Sequence, residues 1–448
     1  MLRIRLLNIS LKHINKLAIP ALISGVSEPV LSLTDAAIVG NVELNATESL
    51  AAVGIVTTFL SMLIWVLGQT RSAISSIVSQ YVGAEKIDEV KNLPAQAILI
   101  VTSISILIII GTYPFAEPIF KLYNATDLIL DYSVDYYKIR VFGFPFTLFT
   151  IAVFGTFRGL QNTYYPMLIA IIGTVANIVL DFILVYGIDG YIAPMHIQGA
   201  AYASVVAQLL MALFSVYYLL KKTSIPLRLS FPFNKEINNF LLMIANLFVR
   251  TVALNVTLYF GSSFATSYGK EYIAAYTIAI NLWFLGAFII DGYASAGNII
   301  SGKLLGSKQY KTLLQLSNQL IRYGIVIGII LAIVGSILYY PLGIIFSKDP
   351  EVLKQFYKVF WVVLIMQPFC AIAFIFDGIF KGLGKTHYLR NILLFSTFIV
   401  FIPFLLLLDS FGYKLYAIFV SLIIWIIARG IPLIVIFRKI FIPLSQKT

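Results

Sequence analysis

The stretch Phe157-Arg158-Gly159-Leu160-Gln161-Asn162-Thr163 returns 223 residues later as Phe380-Lys381-Gly382-Leu383-Gly384-Lys385-Thr386. The same offset pairs Gly83 with Gly306, Ala51-Ala52 with Ala274-Ala275, Ile55 with Ile278 and Ser72-Ala73 with Ser295-Ala296. The chain is one module written twice. Tyr113-Pro114 answers to Tyr340-Pro341 at an offset of 227, and the register is back at 223 by Phe157, so one loop differs in length between the copies. Any fold for this chain must be built from two like halves.

The module is apolar. Hydrophobic residues make up 60% of the chain and charged residues 12%, with a mean hydropathy of +0.92. A soluble chain carries about twice that charge fraction. Stretches such as 97–110, 325–338 and 392–408 hold no charge at all. A membrane span needs about 20 apolar residues. Twelve segments qualify: 17–41, 50–80, 94–120, 136–158, 166–187, 198–220, 241–267, 274–303, 313–346, 355–381, 390–409 and 414–437. In lipid each must satisfy its own backbone hydrogen bonds, which makes the spans helices. The expected fold is all-α and integral to the membrane, with twelve transmembrane helices in two pseudo-symmetric six-helix lobes around a central cavity. The N-terminal lobe is expected over 1–223, a linker over 224–239, where Pro226, Ser230, Pro232 and Asn234 replace apolar periodicity, and the C-terminal lobe over 240–448. An even number of spans per half makes the repeats parallel, related by an axis along the membrane normal, as in transporters whose halves rock about a shared site.

The net charge of +12, from 32 basic and 20 acidic residues, raises nucleic acid as a partner, but its placement argues against it. Arg3, Arg5, Lys12 and Lys16 precede the first span. Lys86 and Lys91, Lys221 and Lys222, Lys303 and Lys308, Lys381 and Lys385, and Arg438 and Lys439 fall on the same side. Fewer, among them Lys121, Lys138, Arg140, Lys270 and Lys348, fall on the other. The positive-inside rule then puts both termini in the cytoplasm and the chain in the cell (inner) membrane as a multi-pass protein. The bilayer is the expected partner, nucleic acid is not, and the chain is expected to work as a monomer. Cys370 is the single cysteine, and His13, His196 and His387 lie far apart, so no metal site or disulfide is expected. Asn45-Ala46-Thr47 and Asn124-Ala125-Thr126 match a glycosylation pattern that is common by chance.

The acids do not repeat with the module. Asp35 falls within the first span, where an ionised carboxylate costs several kcal/mol unless it meets water, a partner or a proton. Asn177 and Asp181 are one turn apart and differ by about 40° around a helix, so they share a face. An amide oxygen beside a carboxylate suits sodium or a bound proton. Hydrogen bonding between helices is the alternative for all three. Asp35 aligns with Leu258 and Asp181 with Phe404 in the second copy, so the fold itself needs no acid there.

Glu28 lies within about 20° of the face of Asp35 and reads equally as a proton relay or as a residue of the aqueous mouth. Pro20 and Pro29 can bend the first span and are candidate hinges, with static kinks as the alternative. Asp291 is a candidate cavity residue or a packing residue, and Arg71 a candidate partner for a membrane carboxylate. Asp377 and Lys381 read as a simple i,i+4 pair. Trp65 and Trp283 are candidates for aromatics lining a cavity.

Four pieces carry a resemblance: Asp35-Ala36-Ala37-Ile38-Val39-Gly40, Arg158-Gly159-Leu160-Gln161-Asn162-Thr163 with Pro166, Asn177-Ile178-Val179-Leu180-Asp181, and Asp291-Gly292-Tyr293-Ala294. With their order and spacing the chain resembles multidrug and toxic compound extrusion (MATE) transporters, in their DinF-like branch, over almost its whole length. The resemblance implies two lobes in a V around a cavity. It implies export of small organic, often cationic or aromatic, substrates by antiport against protons or sodium, with no other cofactor. It maps the coupling-ion site onto Asp35, Asn177 and Asp181, and likens Pro20 to the residue at which the first helix bends in that family. The chain departs from the branch at Asn298, where a glutamate is common. Span 241–267 has no acid, so a second acidic site in the C-terminal lobe is not expected. A lipid-linked oligosaccharide flippase of the wider superfamily is the alternative. An enzyme finds no nucleophile–His–acid order and no glycine-rich phosphate loop, and a channel finds no selectivity filter.

Overall fold

The computed structural model describes residues 10–42, 45–188 and 190–447, with Glu28 described only by its backbone. The expectation for the Glu28 side chain therefore lies outside the described residues. Among the described residues the chain is all-α, with twelve helical segments long and apolar enough to cross a membrane. We label them α1 (Leu11–Val39), α2 (Ala46–Gly83), α3 (Ile87–Lys121), α4 (Asp127–Gly159), α5 (Tyr164–Tyr186), α6 (His196–Lys222), α7 (Ile237–Ser267), α8 (Lys270–Gly306), α9 (Tyr310–Ile337), α10 (Pro350–Gly382), α11 (Thr386–Ser410) and α12 (Leu415–Gln446). Leu33, Leu107, Ile337 and Ile345 stand largely exposed on the outside, a surface that suits lipid and not water.

Prolines set the interruptions. α1 breaks at Val26, between helices Leu11–Gly25 and Ser27–Val39. Pro29 has no N–H to give the Gly25 carbonyl, which accounts for the break, whereas Pro20 sits inside the continuous first half. The expected span 313–346 is likewise two helices, α9 and a short helix Tyr339–Phe346. Pro341 cannot donate to the Ile337 carbonyl, the last residue of α9. In α11 the turn Ser396–Phe401 widens into a π-helix just before Pro403. α12 runs nine residues past the expected end at 437, through Pro443 to Gln446.

The repeat is structural. A methyl group placed on Gly155 of α4 would fall 2.7 Å from the Arg71 carbonyl oxygen on α2, and one on Gly378 of α10 would fall 2.0 Å from the Ala294 oxygen on α8. Arg71 and Ala294 are themselves 223 apart. One turn on, Gly159 faces the Ser75 oxygen at 3.2 Å and Gly382 the Asn298 oxygen at 2.1 Å, again an equivalent pair. Each contact is a Gly-x-x-x-Gly face that lets two helix backbones approach. α4 and α10 are accordingly the most enclosed spans, with 67% of the apolar stretch buried in each. A third equivalent pair, Gly83 and Gly306, brings the ends of α2 and α8 together: a Cβ on Gly83 would lie 1.9 Å from the Lys303 oxygen, and one on Gly306 1.8 Å from the Gln80 oxygen.

Packing divides the chain into two compact units. One takes the chain up to Leu22, Ser79–Glu85 and everything from Leu242 onward; the other takes Ile23–Val78 and Lys86–Leu241. The start of α1 belongs to the first unit because Ile14, Leu17 and Ala18 are buried among Ile299, Leu316 and Phe437. The second unit has its own core around Phe120, Tyr136 and Tyr137. Trp283 is 2% exposed in the core of the first unit, its indole N–H donating to Cys370 Sγ at 3.1 Å. It is a packing residue rather than the cavity aromatic expected, because its only polar atom is spent inside the core. At the end of α7, burial and the Asp409 carboxylate push the Tyr268 phenol well up, so it stays a donor to that carboxylate.

The connection between α6 and α7 is stapled to α3. Gln96, fully buried, donates to the Ser230 carbonyl at 2.8 Å and accepts from the Asn234 N–H at 2.8 Å. Lys235 pairs with Glu89 at 2.6 Å.

Overpacking a close helix contact costs about 1–3 kcal/mol. Gly83→Val and Gly378→Val are expected to lower the melting temperature of the purified protein. Gly111→Val, where an added Cβ meets nothing within 4 Å, is expected to leave it unchanged. Equal melting temperatures for all three variants would refute the assignment.

Candidate functional site

Four helices of the second unit bring their polar residues to one place. Asp35 comes from the part of α1 beyond the break. It is 1% exposed, and its Oδ2 accepts from Ser204 Oγ of α6 at 2.7 Å and from the Tyr136 hydroxyl of α4 at 3.1 Å. Asn177 of α5, fully buried, donates its Nδ2 to the same Ser204 Oγ at 3.3 Å. Asp181, one turn on and also fully buried, lies within hydrogen-bonding reach of Asp35. α1 is held against α5 by the Tyr186 hydroxyl, which donates to the Ile38 carbonyl at 3.0 Å.

The donors run out before the acceptors do. Asp35 Oδ1, Asn177 Oδ1 and both Asp181 oxygens are buried with no hydrogen-bond partner in the protein. Buried acceptors are normally satisfied, and a carboxylate without a donor is among the more expensive groups to bury. Two adjacent carboxylates without a donor between them call for a shared proton or a cation. These four oxygens, from two carboxylate groups and one amide, make a hard donor set that suits sodium as well as a proton.

Arg140, one turn from Tyr136 on α4, supplies the nearby positive charge. It is 7% exposed, donates Nη1 to Gln208 Oε1 of α6 at 2.9 Å, and its charge acts on Asp181. Gly143 makes room for this, since a Cβ there would fall 1.8 Å from Gln208 Oε1. Arg140 reads in the sequence as a flanking charge that reports topology; it is in fact a buried member of the site.

Asp35, Asn177 and Asp181 thus come together as the sequence suggested. Tyr136, Ser204, Arg140 and Gln208 were missed. A signal for them existed: Tyr136 and Arg140, Asn177 and Asp181, and Ser204 and Gln208 are three polar pairs, each one turn apart on its own helix. Arg71 is half-buried on α2, with its backbone against Gly155. Asp291 is exposed on α8. In the first unit Asp377 and Lys381 do pair, at 3.1 Å, but as part of a larger group: Arg250 and Arg429 reach the same carboxylate. α7 therefore brings a cation to the C-terminal unit where a second acidic site would need an acid.

Twelve membrane-length helices written as a repeat, with an ion-type donor set buried in the second unit, mark a polytopic transporter. The MatE family profile matches residues 20–183 and 247–407, once in each copy of the module. The chain belongs to the MatE family of membrane transporters. It is 25% identical to Protein DETOXIFICATION 42 of Arabidopsis thaliana, over 90% of this chain and 87% of that protein. It is 24% identical to DNA damage-inducible protein F of Escherichia coli strain K12, over 94% and 91%, in agreement with the DinF-like branch. It shares its fold with a crystal structure of MATE in the bent conformation, at a TM-score of 0.90 and 20% identity, covering 97% of this chain and 96% of that one.

Replacing Asp181 by Asn puts a donor near two orphaned acceptors, Asp35 Oδ1 and Asn177 Oδ1, each worth about 1–3 kcal/mol unsatisfied. Asp181→Asn is expected to melt above the parent protein in sodium-free buffer at neutral pH. A fall of several degrees would mean that protein groups already hold the carboxylate.

Proposed function

We propose that this transporter exports small organic compounds by cation-coupled antiport, with Asp35, Asn177 and Asp181 binding the coupling proton or sodium ion. One observation carries the reading: the four buried oxygens of these residues that no protein donor satisfies. Both ligands suit them. A proton would be shared between the two carboxylates, and sodium would take oxygens from all three residues. Arg140 offsets one of the two negative charges, so that a single monovalent cation completes neutrality. Tyr136 and Ser204 hold Asp35 through one oxygen and leave the other without a protein donor.

The cation drives transport by its differential affinity for two conformations, since a ligand shifts an equilibrium only to that extent. Pro29 and the break at Val26 give α1 a place to change its bend, and Asp35 rides on the part beyond it. Export of organic, often cationic or aromatic, compounds is supported by membership of the family and by a relative named for detoxification. The basic residues that flank the spans support cytoplasmic termini, in the inner membrane of the cell.

The test uses the full chain in proteoliposomes loaded with a fluorescent organic cation, with proton and sodium gradients imposed separately. One gradient is expected to drive transport. Asp35→Asn and Asp181→Asn are each expected to slow that transport at least tenfold, a loss of about 1.4 kcal/mol or more. Lys348→Gln, a change at an exposed lysine of a loop, is expected to leave it unchanged. Parental rates in both aspartate variants would remove these residues from coupling.

A further inference from the structure

The first unit buries a group of opposite sign that the coupling reading does not use. Asp377 of α10 accepts two bonds from Arg250 of α7, Nε to Oδ1 at 3.0 Å and Nη2 to Oδ2 at 2.7 Å. Lys381, one turn on, is 3.1 Å from Oδ2, and Arg429 of α12 is 3.6 Å from Oδ1. One carboxylate faces three cations. Lys381 keeps 13% of its side chain exposed and also feels the charge of Asp291, which is exposed on α8. The more deeply buried groups are two arginines on one aspartate, at 6%, 2% and 5% exposure. An arginine does not shed its proton in a protein, so one positive charge remains over.

That charge belongs to Arg429. Arg250 spends its fork on Asp377, whereas Arg429 meets the carboxylate only at the longer distance and has a buried Nη1 with no hydrogen-bond partner. Its guanidinium lies over the rings of Phe374 and Trp425, at 5.1 and 5.2 Å, which hold the plane but satisfy no N–H. A buried fixed charge with an unused donor is costly, and an apolar side chain of similar volume is often at least as stable in its place. Groups that cost stability in this way are commonly kept for what they bind.

We propose that Arg429, backed by Arg250, is an anion-accepting site in the C-terminal unit that takes the carboxylate of an organic monoanion. The surplus of one charge selects a singly charged ligand. A guanidinium N–H matches a carboxylate oxygen in geometry and charge. Lys381 and Asp291 mark the side on which the cluster comes nearest the surface of the unit. Carboxylate-bearing compounds thereby enter the range of ligands the protein accepts. The site stands apart from the coupling residues and would remain if Asp35 and Asp181 proved uncoupled.

The test is direct binding to the full chain in nanodiscs of neutral phosphatidylcholine, with benzoate and chloride titrated separately and Trp fluorescence and melting temperature as readouts. Benzoate is expected to bind and to raise the melting temperature of the parent protein. Arg429→Gln and Arg429→Met are expected to weaken benzoate binding at least tenfold while melting, without ligand, no lower than the parent. Lys348→Gln is expected to bind within twofold of the parent. Failure of the parent to bind benzoate, chloride binding in its place, or equal benzoate binding by either Arg429 variant would overturn the assignment. So would melting of both variants well below the parent, because it would make Arg429 a structural group. The measurement on the parent protein decides the case even where a variant does not fold.

Discussion

The architecture rests on backbone contact at glycine. Gly155 and Gly159 let α4 meet α2, and Gly378 and Gly382 let α10 meet α8 at the equivalent residues. Helices in lipid gain little from excluding water between them, so close van der Waals approach has to supply the attraction. Each six-span module is thus organised around its fourth helix. Everything polar is then hung on a scaffold that is the same twice, and the chemistry differs only in which side chains the scaffold carries.

That division explains what could be read from the sequence. Twelve spans, the duplication and the all-α fold follow from hydropathy and from the recurrence of Phe157–Thr163 at 380–386, because lipid leaves an apolar segment no alternative to a helix. Asp35, Asn177 and Asp181 stood out because a carboxylate in a span needs a reason. Tyr136 and Ser204 did not, because a tyrosine or serine in an apolar helix is ordinary, and only tertiary packing shows which carboxylate each one meets. Arg140 was misread for a different reason. A cation near a helix end looks like a topology signal, and only its contact with Gln208, permitted by Gly143, reveals that it points inward. Arg250 and Arg429 fall within the expected spans 241–267 and 414–437, and only packing shows that both reach Asp377. Trp283 went the other way: an aromatic that suited a cavity is part of the core.

The two modules have diverged in the charged groups they bury. The unit that holds α5 and α6 buries Asp35 and Asp181 near Arg140, with a second arginine, Arg158, buried against Ser24. The unit that holds α10 and α12 buries two arginines and a lysine against one carboxylate. The equivalents of Asp35 and Asp181 are Leu258 and Phe404, and those of Asp377 and Arg429 are Phe154 and Val206. Apart from Lys381, which answers to Arg158, neither charged group is a relic of the common module. Duplication freed each copy to specialise, and the apolar medium made each buried charge a strong commitment.

The opening turns of α1 have a consequence for how the protein is made. Ile14, Leu17 and Ala18 reach the ribosome exit long before Ile299, Leu316 and Phe437, the residues that bury them. The N-terminal segment therefore cannot be finished as it emerges. It must wait in the bilayer, half of its helix committed to a neighbour not yet synthesised, while the part beyond Val26 settles with α5. Assembly is vectorial for the middle of the chain and ends by closing on its beginning, so an arrest of translation after the sixth span would strand the start of α1 without the partners that bury it.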